Sequence, residues 1–180
     1  TYKQPTRFAG SASISLLGAS MHLEGVSKDN RFSYLAGYRY KTTSYLLNSL
    51  ETSGDYKPQF SDLQSLLTYK ISRKAEISFL ANHTSNKNLF IPESRDTEFG
   101  TNKLPYNLKI FYEGQEEDQF NTYLGALSLK VQPTNNLTLK FITTGFQTNE
   151  QETFDILGQY WINELDNTEG SETYGDSILN

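Results

Sequence analysis

A serine two residues ahead of a histidine is the first arrangement here that could do chemistry: Gly18-Ala19-Ser20-Met21-His22. A hydrolase elbow needs glycine two residues after its serine, at a strand-to-helix turn, so that the backbone bends sharply and exposes the hydroxyl. His22 occupies that place and the segment sits inside a strand pattern, so catalysis at Ser20 is not expected. His22 and His83 are the only histidines and have no ligand spacing to each other or to a carboxylate helix. The densest acidic run, Glu113-Gly114-Gln115-Glu116-Glu117-Asp118, could offer several carboxylates to calcium. It lacks the alternate-position spacing of a calcium loop and reads as a solvated acidic loop. Carboxylate pairs for glycoside hydrolysis could be assembled from many places, so their presence discriminates nothing. Asn82-His83-Thr84 and Asn136-Leu137-Thr138 match the glycosylation pattern, which arises often by chance. No glycine-rich phosphate loop is present. The expectation is a protein that is not an enzyme, with no catalytic, cofactor-binding or metal-ligating residues.

The elements that carry these residues are constrained by composition. The chain has 180 residues, the size of one domain. Aromatic residues make up 13%, with 12 Tyr and 11 Phe, which argues against disorder because disordered segments are aromatic-poor. A net charge of -5 argues against a nucleic-acid partner, which would demand a basic face. With no cysteine there is no disulfide framework and no cysteine-based zinc site. No apolar run is long enough for a membrane helix. Thr1 is no initiator and no secretory leader follows, so the chain is expected to be processed or cut from something larger.

The dominant pattern is alternation with the period of a strand. In 31–47, Phe32, Tyr34, Ala36, Tyr38 and Tyr40 share one face, while Ser33, Gly37, Arg39, Lys41 and Thr43 share the other, with Leu35 a misfit. The segment 11–26 before it slips phase near Leu16-Leu17-Gly18, where a bulge would absorb the extra residue. Alternation recurs at 62–71, at Ile77-Phe79-Ala81, at 123–131 and at Leu137-Leu139-Phe141. This predicts six antiparallel strands in three hairpins. Short polar turns fall at 27–30, 72–75 and 132–136; long polar stretches fall at 48–60, at 85–118 and from 148 to 180.

Short turns at one end and long loops at the other is the build of an outer-membrane barrel, whose apolar face meets lipid and whose polar face lines the lumen. A soluble β-sandwich would instead pack the apolar face on a second sheet. Alternation alone fits both. A sandwich would be a ligand-binding module, for example for carbohydrate; a small-barrel enzyme is the third reading.

Ser15-Leu16-Leu17-Gly18-Ala19-Ser20-Met21-His22-Leu23-Glu24-Gly25, a short turn, then Phe32-Ser33-Tyr34-Leu35 and Gly37-Tyr38-Arg39-Tyr40, resembles the early barrel strands of TonB-dependent outer-membrane receptors. Glu24-Gly25 and Gly37-Tyr38-Arg39 match the family's stretch after its plug domain. Phe60-Ser61-Asp62-Leu63-Gln64, continuing to Ser72, resembles its aspartate-x-glutamine strand leading into a periplasmic turn. The resemblance runs from about Phe8 to about Glu164. It implies an internal segment, 1–180, of one large barrel in the outer membrane of a Gram-negative bacterium. Such receptors close roughly 22 strands around a plug. No plug, TonB box or terminal aromatic is visible here.

The resemblance implies nutrient capture at the cell surface and import to the periplasm. The implied partners are membrane lipid, the TonB complex acting through the missing plug, and a small nutrient, glycan or peptide. The segment would supply barrel wall, with 48–60 and 85–118 as extracellular loops and 148–180 as the start of another. Arg39, Lys41, Asp62, Gln64 and Lys70 are then expected to face the lumen, where they would hold the plug or shape the interior. Phe32, Tyr34, Tyr38, Tyr40, Leu67 and Tyr69 are expected to face lipid. Without a membrane the isolated chain is expected to self-associate, or to fold its own loops over the apolar face, because open sheet edges and a bare apolar patch both seek cover.

Overall fold

The computed structural model describes residues 4–47, 49 and 54–178. The elements are β1 (Ala9–Ser15), β2 (Gly18–Val26), β3 (Phe32–Thr42), α1 (Ser44–Leu47), β4 (Gly54–Tyr56), β5 (Gln59–Ser72), β6 (Ala75–Pro92), β7 (Arg95–Thr101), β8 (Leu104–Thr134), β9 (Leu137–Leu165) and β10 (Ser177–Ile178). All strands join one antiparallel sheet in the order β1-β2-β3-β5-β6-β8-β9-β10. β4 pairs with β6 beyond β5, and β7 pairs with β8 beyond β6. Along the main path each strand therefore lies beside the one before it on that path. The sheet does not close on itself: β1 lies at one edge and β9, paired at its far end with the two-residue β10, at the other.

The all-β, antiparallel, up-and-down class expected from alternation is observed. The strand count is not: among the described residues ten segments form where six were expected. The added segments have physical causes. The phase slip at Leu16-Leu17 is a two-residue turn, not a bulge, with Ser15 paired to Gly18 across it. Its leucines carry no turn chemistry, which hid it. The backbone freedom resides in Gly18, where φ is +145° and an added Cβ would lie 2.0 Å from the Tyr40 carbonyl oxygen. β4 and β5 run in line, broken at Lys57-Pro58, where proline has no N–H to give the ladder. The Lys57 N–H still donates to the Leu89 carbonyl at 2.8 Å. β6 and β7 are broken in the same way just after Pro92.

The stretch 85–118, expected as a long loop, is strand except at 93–94 and 102–103, and the stretch from 148 is strand as far as Leu165. Its carbonyls and amides are satisfied by the ladder between β8 and β9, which runs unbroken from Tyr106↔Glu164 to Val131↔Leu139. At about 3.3 Å per residue, these two strands extend roughly 95–100 Å. The 31–47 strand is correspondingly shorter than expected, ending at Thr42, and Ser44–Leu47 form one helical turn. The stretch 48–60 is described only in part. It holds β4 and the start of β5, while residues 48 and 50–53 lie outside the described residues. Turns at 27–31, 73–74 and 135–136 share one end of the sheet, as expected. The opposite end is mixed: the short turn at 16–17 sits beside connections carrying α1, β4 and β7.

Candidate functional site

Cross-strand pairs share a face, so the register sorts every side chain. One face carries Phe32 opposite Tyr69, Tyr34 opposite Leu67, and Tyr38 opposite Leu63, with Tyr40 above them. It continues through Ile77, Phe79 and His83 on β6 to Leu129, Leu127 and Tyr123 on β8. The other face carries Arg39 opposite Asp62, Gly37 opposite Gln64, Lys41 opposite Phe60, and Lys70 opposite Glu76. The two sets of residues singled out from the sequence thus lie on opposite faces of the sheet. We refer to them as the aromatic and the polar face. The misfit Leu35 belongs to a row on the polar face, Leu35-Leu66-Leu80.

Exposure runs opposite to the habit of a soluble protein. On the aromatic face Leu63 is 49% exposed, Phe79 44% and Phe141 61%. On the polar face Asp62 is 7% exposed and Thr68 6%. Leu165 and Pro5 are the only buried apolar side chains among the described residues. Among the described residues no second sheet covers the aromatic face, and no connection folds over it. What covers part of the polar face is the segment before β1. Pro5 is buried there, sharing a small cavity with Ser33, Leu35, Leu66 and Thr68, and Gln4 Nε2 donates to Glu76 Oε2 at 2.8 Å.

The polar face is organised around Asp62. Its carboxylate accepts from Arg39 Nη2 at 3.2 Å, from Gln64 Nε2 at 3.1 Å and from Asn82 Nδ2 at 2.8 Å. Arg39 also lies 5.2 Å from the centre of the Phe60 ring. The glycine-x-arginine and aspartate-x-glutamine motifs are therefore cross-strand neighbours in one network, and Asn82 is its member that sequence reasoning missed. Asn82 was legible as part of a glycosylation pattern and, by alternation with Ile77, Phe79 and Ala81, as a residue of the polar face; nothing local signals that it meets Asp62.

The aromatic face is apolar over a limited height. The runs Leu63 to Ile71, Ala75 to His83 and Tyr123 to Val131 are each nine residues long and lie side by side in register. A membrane-crossing strand needs about 9–11 residues. His83 stacks on Tyr123 at 4.4 Å at one border of this band, and Phe32 contacts Tyr34 at 6.3 Å near the other.

Above the row Ser61-Ser85-Asn121-Asn149 the polarity of the faces exchanges. The aromatic face becomes charged: Asp55 pairs with Lys57 at 2.7 Å, Lys87 with Glu117 at 2.8 Å, and Asp96 with Lys109 at 3.3 Å. The Asn107 amide, with Lys109 adding to it, holds the Asp96 carboxyl below its usual range. Phe111 and Trp161, edge to face at 5.0 Å, are the aromatic exceptions. The polar face, acidic just above the row at Glu116, Asp118, Glu150 and Glu152, becomes apolar higher up, with Tyr106, Leu108, Ile110 and Tyr112 on β8 and Phe154, Ile156, Tyr160 and Ile162 on β9. No register shift separates the two regions in β8 and β9, so the side chains keep their faces while the chemistry changes sides.

The other candidate chemistry stays dispersed. Ser20 Oγ shares a hydrogen bond with Ser13 Oγ at 2.7 Å, inside β2, and His22 Nε2 sits 3.3 Å from Glu24 rather than on the serine. The acidic run 113–118 is strand, not loop, so its side chains alternate between faces. Glu117 faces Lys87, while Glu116 and Asp118 lie on the opposite side. No group of three metal-ligating side chains converges among the described residues. No helix is long and apolar enough to cross a membrane, a criterion that does not bear on strands. No family model, curated protein or solved structure matches this chain.

Proposed function

We propose that this chain is a section of barrel wall from a TonB-dependent outer-membrane receptor, which captures a nutrient at the cell surface and passes it to the periplasm. The observation that carries the reading is the exposed aromatic band, nine residues tall, which ends where the same face turns charged. A band of that height is what a bilayer demands of tilted strands. Support also comes from the cross-strand meeting of the two motifs that carry the family resemblance, at Arg39 and Asp62. In this reading the aromatic face meets lipid and the Asp62 network faces the lumen. The β6–β9 extension stands outside the cell, and the turns at 27–31 and 73–74 face the periplasm. The plug and the TonB complex are partners of the whole receptor, and the barrel is completed by strands beyond β1 and β9.

Cysteines placed at Asn102 and Asp29 test it. The first sits in the β7–β8 turn and the second in the β2–β3 turn, at opposite ends of the sheet. On intact cells an impermeant thiol reagent should label Asn102→Cys and spare Asp29→Cys. Labelling of Asp29→Cys alone reverses the topology. Recovery of both proteins in the soluble fraction without detergent rejects the membrane reading in favour of a soluble sheet.

A further inference from the structure

Just above the Asp62 network the polar face holds a cavity of about 370 Å³, lined among others by Lys41, Phe60, Asn86, Asn88, Asp118 and Phe120. The register explains its composition. Lys41, Phe60, Asn86 and Phe120 form one cross-strand row, so two phenyl rings flank an amide, with an ammonium group at one side. Asp118, opposite Asn88, stands at the other side one repeat higher. Neither Lys41 nor Asp118 makes an ion pair among the described residues, and neither the Asn86 nor the Asn88 amide makes a side-chain hydrogen bond there. The other nearby cations are held elsewhere: Arg39 by Asp62, and Lys87, which also lines the cavity, by Glu117.

A ligand for this cavity needs four properties. It must present an anion towards Lys41 and a cation towards Asp118. It must offer apolar groups to the two rings. It must also pair with amides, each of which has both a donor and an acceptor. A phosphorylated ligand fails, because Glu150 and Glu152 lie beside Phe120 and Asp118 on the next strand and repel it. A neutral saccharide could use the rings and amides but leaves the two opposite charges unmatched. An extended peptide with free termini satisfies all four. From Lys41 on β3 to Asp118 on β8 is three strand spacings of about 4.8 Å and two residues of rise, roughly 16 Å in all. At about 3.5 Å per residue that distance suits a peptide of about four residues.

We propose that this cavity binds a short zwitterionic peptide, with its carboxylate on Lys41, its ammonium on Asp118 and apolar side chains on Phe60 and Phe120. The inference rests on the receptor reading, in which the site lies in the upper lumen, and names the substrate class of that receptor. The test is titration calorimetry on the full chain in detergent micelles. The probes are the tetrapeptide Ala-Phe-Ala-Phe with free ends, its N-acetylated and C-amidated forms, and maltotetraose.

The free peptide should bind, and blocking either end should weaken it about tenfold, the scale of one charged contact. Asp118→Asn should weaken the free peptide and leave the acetylated one unchanged; Lys41→Gln should do the same with respect to the amidated one. Equal affinity for free and blocked peptides, binding of maltotetraose alone, or no binding at all overturns the inference. Vesicle insertion, measured separately, tells its failure from that of the receptor reading. A chain that inserts but ignores the peptide loses only this inference. A chain that binds the peptide and never inserts keeps the cavity and loses the receptor.

Discussion

Arginine placed at three heights on the aromatic face of β8 measures what medium that face meets. Leu127 lies at the middle of the apolar run, four residues from Tyr123 at its border and four from Val131. Gln119 lies four residues above Tyr123 on the same face, beyond the row where polarity exchanges. At about 3.3 Å per residue, Leu127 sits roughly 13 Å along the strand from either border. If lipid covers the band, Leu127→Arg is a midplane charge and should cost about 2–4 kcal/mol. That is roughly a 30- to 1000-fold loss in the folding equilibrium. Tyr123→Arg should cost about 0–1 kcal/mol, because the arginine reaches the interface, and Gln119→Arg should cost nothing measurable. Ser128→Arg, one residue from Leu127 but on the polar face, is the control and should be tolerated. The assay is denaturant titration of the protein folded in phospholipid vesicles, followed by far-ultraviolet circular dichroism. In water the picture differs: Leu127 is already exposed, and replacing an exposed side chain stays within about 0.5 kcal/mol. Equal costs at Leu127 and Gln119, or at Leu127 and Ser128, would refute the reasoning.

Three further outcomes follow from the geometry. Asp62→Ala removes the acceptor shared by Arg39, Gln64 and Asn82 and should cost about 1–3 kcal/mol in the same titration, because donors are left unpaired on a covered surface. Arg39→Met should cost less, since that side chain is half exposed; the reverse order would move the centre of the network to the arginine. Gly18→Ala should cost about 1–3 kcal/mol through backbone strain and contact with the Tyr40 carbonyl, whereas Gly145→Ala, which meets nothing, should be silent. Asp166 accepts from the Ser171 hydroxyl, the Thr168 N–H and the Thr173 hydroxyl, which hold its carboxyl far below the ordinary range. Its folded pKa being depressed, the order it lends to the loop 166–176 is fully present above the unfolded pKa of about 3.9 and lost as pH falls through the lower folded value. Amide protection in that loop, corrected for the intrinsic pH dependence of exchange, should therefore hold down to about pH 4 and fall below it; Asp166→Asn should show low protection at every pH.

Alternation made the central hairpins legible because a strand pair in contact with two different media must sort its side chains by period two. That is why Tyr38 and Arg39 could be assigned to opposite faces without coordinates. The sequence was opaque in two kinds of place. One was the breaks: Leu16-Leu17 turns without turn residues, and Pro58 and Pro92 interrupt strand lines that continue on the far side. The other was the upper part of β8 and β9. Tyr106, Leu108, Ile110 and Tyr112 alternate as cleanly as the residues below, but on the even positions where Tyr123, Leu127 and Leu129 use the odd. A reader looking for one phase sees noise between them and writes a loop. Asp62 and Asn82 were each legible as polar-face residues by alternation; their meeting was not, since nothing local to 82–84 points across the ladder to β5.

The phase change without a register shift bears directly on what surrounds the sheet. A bulge would rotate side chains from one face to the other and leave the media where they were. Here Tyr123 and Glu117 project on the same side of β8, three alternations apart, and one belongs to the apolar band while the other is ion-paired to Lys87. The side chains keep their faces; in the proposed reading it is the surroundings that change. A sandwich core has no such level, because its buried face stays buried to the end of the strand. A bilayer surface does have one, and it would cut every strand at a common height. The row Ser61-Ser85-Asn121-Asn149 is polar across four neighbouring strands at one height. Above it the polar face carries Tyr160 and Ile162, both exposed; in the proposed receptor the outer loops or the ligand would cover them.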